Sequence, residues 1–98
     1  MNHLSAYKNQ IRELCASHKV KNLYAFGSVL TSKFNDDSDI DLIVDFNEID
    51  VKDYADNYFD LKFALQEVLK RPIDLLESQA IKNPYFKQVV EQTKELVY

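Results

Sequence analysis

Two aspartates separated by one residue, Asp39 and Asp41, are the strongest candidates for chemistry in this chain. In a strand they lie on one side, about 6.5 to 7 Å apart at the backbone, so both carboxylates can reach one ion. Unit charges about 6 Å apart repel by about 3 kcal/mol at an effective dielectric of roughly 20, and no basic residue occurs between Asn35 and Glu48. The pair therefore predicts bound Mg²⁺ or Mn²⁺. A solvated acidic edge that discourages strand pairing is the alternative.

A third carboxylate, Asp74, occurs in the short extended segment from Pro72 to Glu77. Proline is tolerated at the first residue of a strand, and Ile73 and Leu75 alternate with Asp74. If this strand lies beside the first acidic strand, three carboxylates meet on one face. Such a set can hold two metal ions about 3.5 to 4 Å apart, which clamp the attacking and leaving oxygens of a displacement at phosphorus. A capping or solvent-facing aspartate is the alternative.

The only glycine of the chain, Gly27, ends a short apolar run and is followed by Ser28. Glycine lets the backbone turn sharply and lets a ligand approach the main chain. Residues 22–26 have the pattern of a buried strand, and residues 28–33 could begin a short helix whose unpaired N–H groups attract an anion. A strand-to-helix turn with Ser28 as the N-cap and no ligand is the alternative.

Together these residues resemble the nucleotidyltransferase superfamily that includes DNA polymerase β. Gly27-Ser28, ten intervening residues and Asp39-Ile40-Asp41 are similar to its Gly-Ser-x10-Asp-x-Asp signature, and the later Arg71-Pro72-Ile73-Asp74-Leu75 also resembles the family. The short chain is most similar to the minimal nucleotidyltransferases, the MNT or MntA-like proteins. The resemblance implies that Asp39, Asp41 and Asp74 are catalytic metal ligands.

The same resemblance implies that Gly27 and Ser28 contact the triphosphate. Many relatives carry an arginine and a glycine soon after Gly-Ser, whereas residues 29–33 of this chain are Val-Leu-Thr-Ser-Lys. Lys33 is therefore the nearest candidate for a basic nucleotide-binding residue.

The resemblance further implies an activity, the transfer of AMP from ATP to a hydroxyl group with two Mg²⁺ ions, or Mn²⁺, as cofactors. Minimal members commonly pair with a helical HEPN-domain ribonuclease toxin, so the implied acceptor is a toxin tyrosine and the chain is its antitoxin. A non-catalytic antitoxin that inhibits by occlusion is one alternative. A transferase acting on a small molecule is another, although relatives of that kind usually bring an extra domain.

Composition limits the class of protein. With 98 residues, of which 46% are hydrophobic, residues 1–98 suit one domain with a modest core. A net charge of −4 argues against broad nucleic-acid binding. The apolar runs are too short to span a membrane and the N-terminus lacks the apolar stretch of a signal peptide, which predicts a cytoplasmic protein. The single cysteine, Cys15, excludes an intrachain disulfide and is expected to pack as a small apolar residue.

The predicted elements alternate between helices and strands. Around Asp39 and Asp41 the residues alternate, and the face opposite the aspartates is apolar: Ile40, Leu42, Val44 and Phe46. Helices are expected from about Leu4 to His18, from Asp50 to Arg71, and from Asn83-Pro84 to Val97. The expected order is helix, strand, helix, strand, helix, strand, helix. This pattern predicts a small α/β or α+β fold, a mixed sheet with helices on one face, and it resembles the catalytic fold of the polymerase β-like nucleotidyltransferases.

The long central helix carries more aromatic residues than one buried stripe can hold: Tyr54, Tyr58, Phe59 and Phe63. An exposed remainder would be an association site for a partner protein. A helix covered at all these positions is the alternative, and it is the one that we favour from the sequence.

Overall fold

The computed structural model describes residues 4–31, 33–35 and 37–98. In this part of the chain the helices are α1 (Lys8–Ser17), α2 (Val51–Leu69) and α3 (Pro84–Thr93), and the strands are β1 (Val20–Phe26), β2 (Ile40–Phe46), β3 (Ile73–Glu77) and β4 (Glu95–Leu96). Short 3₁₀ turns occur at Ser5–Tyr7, Gly27–Leu30 and Ser78–Ala80. The architecture is the small α/β fold with a mixed sheet that the sequence predicted.

The four strands form one sheet in the order β3-β2-β1-β4. Strand β1 pairs antiparallel with β2 on one side and with β4 on the other, whereas β2 and β3 pair parallel. A parallel pair needs a long crossover connection, and α2 supplies it between β2 and β3. The two acidic segments thus become neighbours although they are more than thirty residues apart in sequence.

Helices α1 and α2 cover one face of the sheet and form the main core with it. The most deeply buried side chains of this core are Ile11, Cys15, Leu23, Leu42, Leu61 and Leu65. Burial raises the pKa of the Cys15 thiol to about 12, so this residue behaves as the small apolar side chain that was predicted.

Helix α3 lies against the opposite face of the sheet. The ring of Phe86 meets that of Phe26 edge to face, with 5.9 Å between the centroids, and the Lys94 Nζ lies 4.1 Å from the centroid of Tyr24. Asn83 caps this helix as expected, because its Oδ1 accepts hydrogen bonds from two backbone N–H groups. The prediction that the helices lie on one face of the sheet therefore holds for α1 and α2, whereas α3 packs on the other face.

The first helix begins at Lys8, after the turn Ser5–Tyr7, and two other elements differ more from the prediction. The last helix ends at Thr93 rather than near Val97, and the residues after it form β4 along β1. The open edge of β1 explains this. The Leu23 carbonyl on this edge accepts a hydrogen bond of 2.7 Å from the Val97 N–H, and a longer helix would take that N–H away from it. The predicted short helix from Ser28 is only the turn Gly27–Leu30, since Val29 is drawn into the core.

The aromatic residues of α2 divide into two sets. Tyr58 is partly buried and its hydroxyl donates to the Leu75 carbonyl. Phe59 and Phe63 are 48% and 57% exposed and stack on each other with 6.0 Å between ring centroids. A fully covered helix was therefore the wrong alternative, and the Phe59–Phe63 patch is a hydrophobic surface. Among the described residues, no helix is both long enough and apolar enough to cross a bilayer.

Candidate active site

The parallel register of β2 and β3 brings two of the predicted carboxylates side by side. Asp41 is the register partner of Asp74 on one side and of Phe26 on the other. Register partners on adjacent strands point to the same face and lie about 4.8 Å apart at the backbone. Phe26, Asp41 and Asp74 consequently form one row across three strands, on the face opposite the main core.

Asp39 lies immediately before β2, two residues from Asp41, and its side chain is exposed. The charges of both Asp39 and Asp74 act on Asp41. Two of the predicted metal ligands, Asp39 and Asp74, are therefore close enough to the third, Asp41, to influence it electrostatically. Asp45, the next acidic residue on this face, accepts a hydrogen bond from the Ser78 hydroxyl and lies further along β2.

The pKa of Asp41 is raised above its ordinary value of 3.8. Burial contributes most, because a desolvated carboxylate loses stabilisation by water, and repulsion from Asp74 and then from Asp39 adds to it. Any positive charge placed between these carboxylates would reverse that repulsion.

Gly27, the first residue of the turn that follows β1, lies next to this carboxylate. Its φ of +76° lies in the left-handed region, and a Cβ at this position would lie 2.7 Å from the Asp41 Oδ2. Both constraints exclude a larger residue, since the first strains the backbone and the second collides with the site. This turn therefore needs a glycine, because of its positive φ and because of the Asp41 carboxylate next to it.

The residues that were expected to contact phosphate, Ser28 and Lys33, are only partly located by the structure. The backbone of Ser28 belongs to the turn Gly27–Leu30, but its side chain lies outside the described part of the structure. Lys33 is exposed in the loop between this turn and β2, and its N–H donates to the Thr31 Oγ1. Val29, two residues after Gly27, is 1% exposed and packs in the core.

The carboxylate face suits a hard divalent cation by the chemistry of its donors. All three aspartates offer oxygen, which Mg²⁺ and Mn²⁺ prefer, and Asp41 carries unbalanced negative charge. Within residues 4–31, 33–35 and 37–98, however, no three acidic, histidine or cysteine side chains are already gathered as ligands of one ion. Binding would need rotation of the aspartate side chains, so the metal site stays a prediction.

A cavity of about 670 Å³ opens next to Gly27, between the end of β1 and α3. This Gly27 cavity is mainly apolar and is lined by Phe26, Leu30, Phe86, Val89, Val90 and Glu95, among others. Its volume lies within the range of small-molecule sites. Nothing in the sequence pattern indicates this cavity, because the spacing of Phe86 and Val89 predicts only the apolar stripe of the last helix. The exposure of Val89, 56%, shows that this stripe is wider than the contact with the sheet requires.

Comparison with known proteins decides the family. Residues 9–98 match the family described as polymerase β nucleotidyltransferase. A protein of Methanocaldococcus jannaschii named as a candidate protein adenylyltransferase is 36% identical over 95 residues, or 97% of this chain and 89% of the relative. The protein adenylyltransferase MntA of Thermococcus cleftensis is 30% identical, over 97% of this chain and 87% of the relative. The chain belongs to the polymerase β nucleotidyltransferase family.

Solved structures share the fold of this nucleotidyltransferase. One described as a candidate minimal nucleotidyltransferase has a TM-score of 0.78 at 28% identity and covers 97% of this chain and 95% of its own. A chain in a crystal structure of a toxin-antitoxin with AMP-PNP has a TM-score of 0.70 at 22% identity, and the match covers 93% of this chain and 72% of that chain. A structure described as a tri-AMPylated Shewanella oneidensis HEPN toxin in complex with MNT antitoxin contains a chain with a TM-score of 0.63 at 22% identity. The match covers 95% of this chain and 70% of that chain. The last two establish likeness of fold alone.

Replacing Gly27 by alanine tests the contact with Asp41. We expect Gly27→Ala to lower the free energy of unfolding of the nucleotidyltransferase by about 1 to 2 kcal/mol from the positive φ, with a further loss from the collision with the Asp41 Oδ2. Urea unfolding followed by circular dichroism measures the change. In an Asp41→Ala background the collision is absent, so Gly27→Ala should cost less there. Equal costs in the two backgrounds would show that the carboxylate does not restrict this position.

The raised pKa of Asp41 predicts a pH dependence of stability in a buffer with EDTA. Between its unfolded pKa and its higher folded pKa, the folded state binds more protons, so this group makes the free energy of unfolding fall as pH rises. Asp41→Asn removes that loss. The variant should therefore gain thermal stability over the wild type at pH 7 and lose this advantage as the pH falls to about the unfolded pKa. Thermal melts of both proteins across this pH range provide the check, and an Asp41→Asn variant less stable at pH 7 would contradict it.

Proposed function

We propose that this nucleotidyltransferase transfers AMP from ATP to a hydroxyl group on a partner protein. The observation that carries the proposal is the row in which Asp41 lies beside Asp74 in register while Gly27 is packed against the same Asp41 carboxylate. This row joins the acidic groups needed for phosphoryl chemistry to a backbone turn at which a triphosphate can approach. Family membership and relatives named as protein adenylyltransferases support the direction of the chemistry.

Asp39, Asp41 and Asp74 would hold Mg²⁺, with two ions or Mn²⁺ as variants of the same arrangement. When bound, the metal would neutralise charge on the α-phosphate and the departing pyrophosphate and lower the pKa of the acceptor hydroxyl. The pKa of Asp41 is raised by burial first and then by repulsion from Asp74 and Asp39. A bound cation would offset both effects, which supports this assignment.

The side chains of the chain have separate tasks in the proposed reaction. The acceptor oxygen forms a bond to the α-phosphorus, and the bond from that phosphorus to the oxygen bridging to the β-phosphate breaks, so pyrophosphate leaves. Asp74 is exposed at the end of the row, where it can accept the hydroxyl proton. The backbone of Gly27 and Ser28 would orient the β- and γ-phosphates, and Lys33 is the nearest cation along the loop.

We propose that the nucleoside of ATP occupies the Gly27 cavity. Gly27 belongs both to the lining of this cavity and to the contact with Asp41, so a ligand can extend from one to the other. The apolar walls of the cavity, with the ring of Phe26 among them, suit a flat base, whereas the charge of Glu95 disfavours phosphate there. The triphosphate is thereby directed toward the carboxylates.

The acceptor we propose is a tyrosine of a HEPN-type toxin, which makes this chain an antitoxin. The support is the shared fold with the MNT antitoxin of the complex that contains a tri-AMPylated HEPN toxin. The Phe59–Phe63 patch offers hydrophobic surface for such a partner, because two adjacent exposed aromatic rings are typical of association sites.

A second candidate function is inhibition of the partner by occlusion without catalysis. The observation that favours it is the core position of Val29, which leaves the turn after Gly27 without a basic residue to grip phosphates. In that case the Phe59–Phe63 patch would carry the function and the carboxylates would be dispensable.

Labelled ATP distinguishes the reactions. With Mg²⁺ and a HEPN-type protein of the same genome, label from the α-phosphate of ATP should appear on the partner and label from the γ-phosphate should not. Asp39→Asn should lower the rate by at least about a hundredfold, as expected for loss of a charged group that acts on the transition state. Glu13→Gln, at an exposed acidic residue on α1 away from the Phe59–Phe63 patch, is the matched control and should retain full activity.

Three outcomes would redirect the proposal. Transfer of the γ-label would identify a kinase and reject nucleotidyl transfer. If an Asp39→Asn, Asp41→Asn double variant without activity still neutralised the toxin in cells at equal expression, occlusion would be the function. Undiminished transfer by Asp39→Asn would remove Asp39 from the mechanism.

Filling the Gly27 cavity tests the location of the nucleoside. Val89→Trp should weaken ATP binding at least about tenfold, or about 1.4 kcal/mol, while binding of inorganic tripolyphosphate, which has no nucleoside, stays unchanged. Calorimetric titration with Mg²⁺ measures both. Val51→Trp, at a valine that is 93% exposed on α2, is the matched control. Unchanged ATP binding, or equal weakening of ATP and tripolyphosphate, would place the nucleoside elsewhere.

A further inference from the structure

Asp39 is held by the segment that leads into β3. The Arg71 Nη1 donates hydrogen bonds to the Asn35 carbonyl at 2.7 Å and to the Ser38 carbonyl at 3.1 Å. On the other side of Asp39, the Ile40 N–H donates to the Pro72 carbonyl at 3.1 Å. The residues on both sides of Asp39 are thus bonded to Arg71 and Pro72, which immediately precede β3.

The other two carboxylates do not depend on these bonds in the same way. Asp41 and Asp74 lie inside β2 and β3, where the ladders of the sheet fix their backbones. Asp39 precedes the first residue of β2 and belongs to the loop. Hydrogen bonds within the loop, between Asn35 and Ser38, fix its local turn. The position of this turn, and with it Asp39, relative to the other two carboxylates depends on the link between the loop and the start of β3.

The shape of the arginine side chain suits this link. Its guanidinium carbon lies 4.3 Å from the centroid of the Phe34 ring while Nη1 bonds to the two carbonyls. A planar guanidinium can stack on a ring and donate from its edge at the same time, which the ammonium of lysine cannot do. The guanidinium thus binds backbone carbonyls of the loop that precedes β2, which is a different role from binding phosphate.

We infer that Arg71 is a positioning residue that sets the Asp39 carboxylate against Asp41 and Asp74 for cation binding, an inference that rests on the proposed function. Arg71 acts through the Ser38 carbonyl and touches neither substrate nor metal. Loss of its hydrogen bonds frees the backbone before Asp39, so the set of ligands loses its arrangement although each carboxylate is still present.

The sign of the expected effect separates this role from a charge effect. Removing a positive charge near an acidic site strengthens cation binding by Coulomb attraction alone. Loss of positioning weakens it. A phosphate-binding role would leave the affinity for the metal alone intact and weaken tripolyphosphate binding instead.

The test uses the full chain and measures Mn²⁺ binding alone by electron paramagnetic resonance, with thermal melts to monitor folding. Arg71→Met keeps an unbranched side chain beside Phe34 without donors, and it should weaken Mn²⁺ binding about tenfold or more. Lys70→Met removes the neighbouring exposed cation and is the matched control, for which Mn²⁺ binding should be unchanged or tighter. Wild-type or tighter Mn²⁺ binding by folded Arg71→Met would overturn the inference.

Arg71→Lys covers the case in which Arg71→Met does not fold. This variant keeps the charge, so weaker Mn²⁺ binding than in the wild type supports positioning and equal binding rejects it. The inference and the proposed function fail differently. A wild-type chain that binds no Mn²⁺ and transfers no α-label contradicts the proposed function, whereas an active wild type with Mn²⁺ affinity unaffected by the Arg71 substitutions contradicts only the role of Arg71.

Discussion

The parallel pairing of β2 with β3 holds the carboxylates of Asp41 and Asp74 next to each other, although their like charges repel. Asp41 and Asp74 are register partners, and Asp39 acts on the same Asp41 carboxylate. The apolar side chains on the other face of these strands pack under α1 and α2, and a shift of one residue would turn the aspartates into that core. Burial of the core therefore keeps the like charges together, and the same register that stabilises the fold creates the demand for a cation.

The surroundings of this acidic row supply what a transferase needs beyond charge. Gly27 leaves room for the Asp41 carboxylate and turns the chain with a positive φ at the place where β1 ends. Helix α3 covers the same face further along and forms the Gly27 cavity with that end of β1. A ligand can therefore lie on one surface from an apolar cavity to a cluster of carboxylates, with a glycine turn between the two. The Phe59–Phe63 patch lies on α2, apart from this surface.

The sequence predicted the acidic row well because local pattern and register agree. Alternation indicated which face of β2 carries Asp41, and the resemblance to the nucleotidyltransferases related Asp74 to it across more than thirty residues. Strand β4 was missed, because a strand of two residues has no periodicity of its own and forms only where the edge of β1 is open. The contacts of Arg71 also left no local signal, since its partners lie 33 and 36 residues away. The Gly27 cavity likewise combines residues from distant segments.

Crystals of this nucleotidyltransferase grown with Mn²⁺ and a non-hydrolysable ATP analogue would test the central claim most directly, because anomalous scattering locates manganese independently of the rest of the electron density. The account predicts a manganese peak at bonding distance from Asp39, Asp41 and Asp74, with the triphosphate next to Gly27. A peak bound to phosphate oxygens alone, with Asp74 turned away from the other two aspartates, would contradict it.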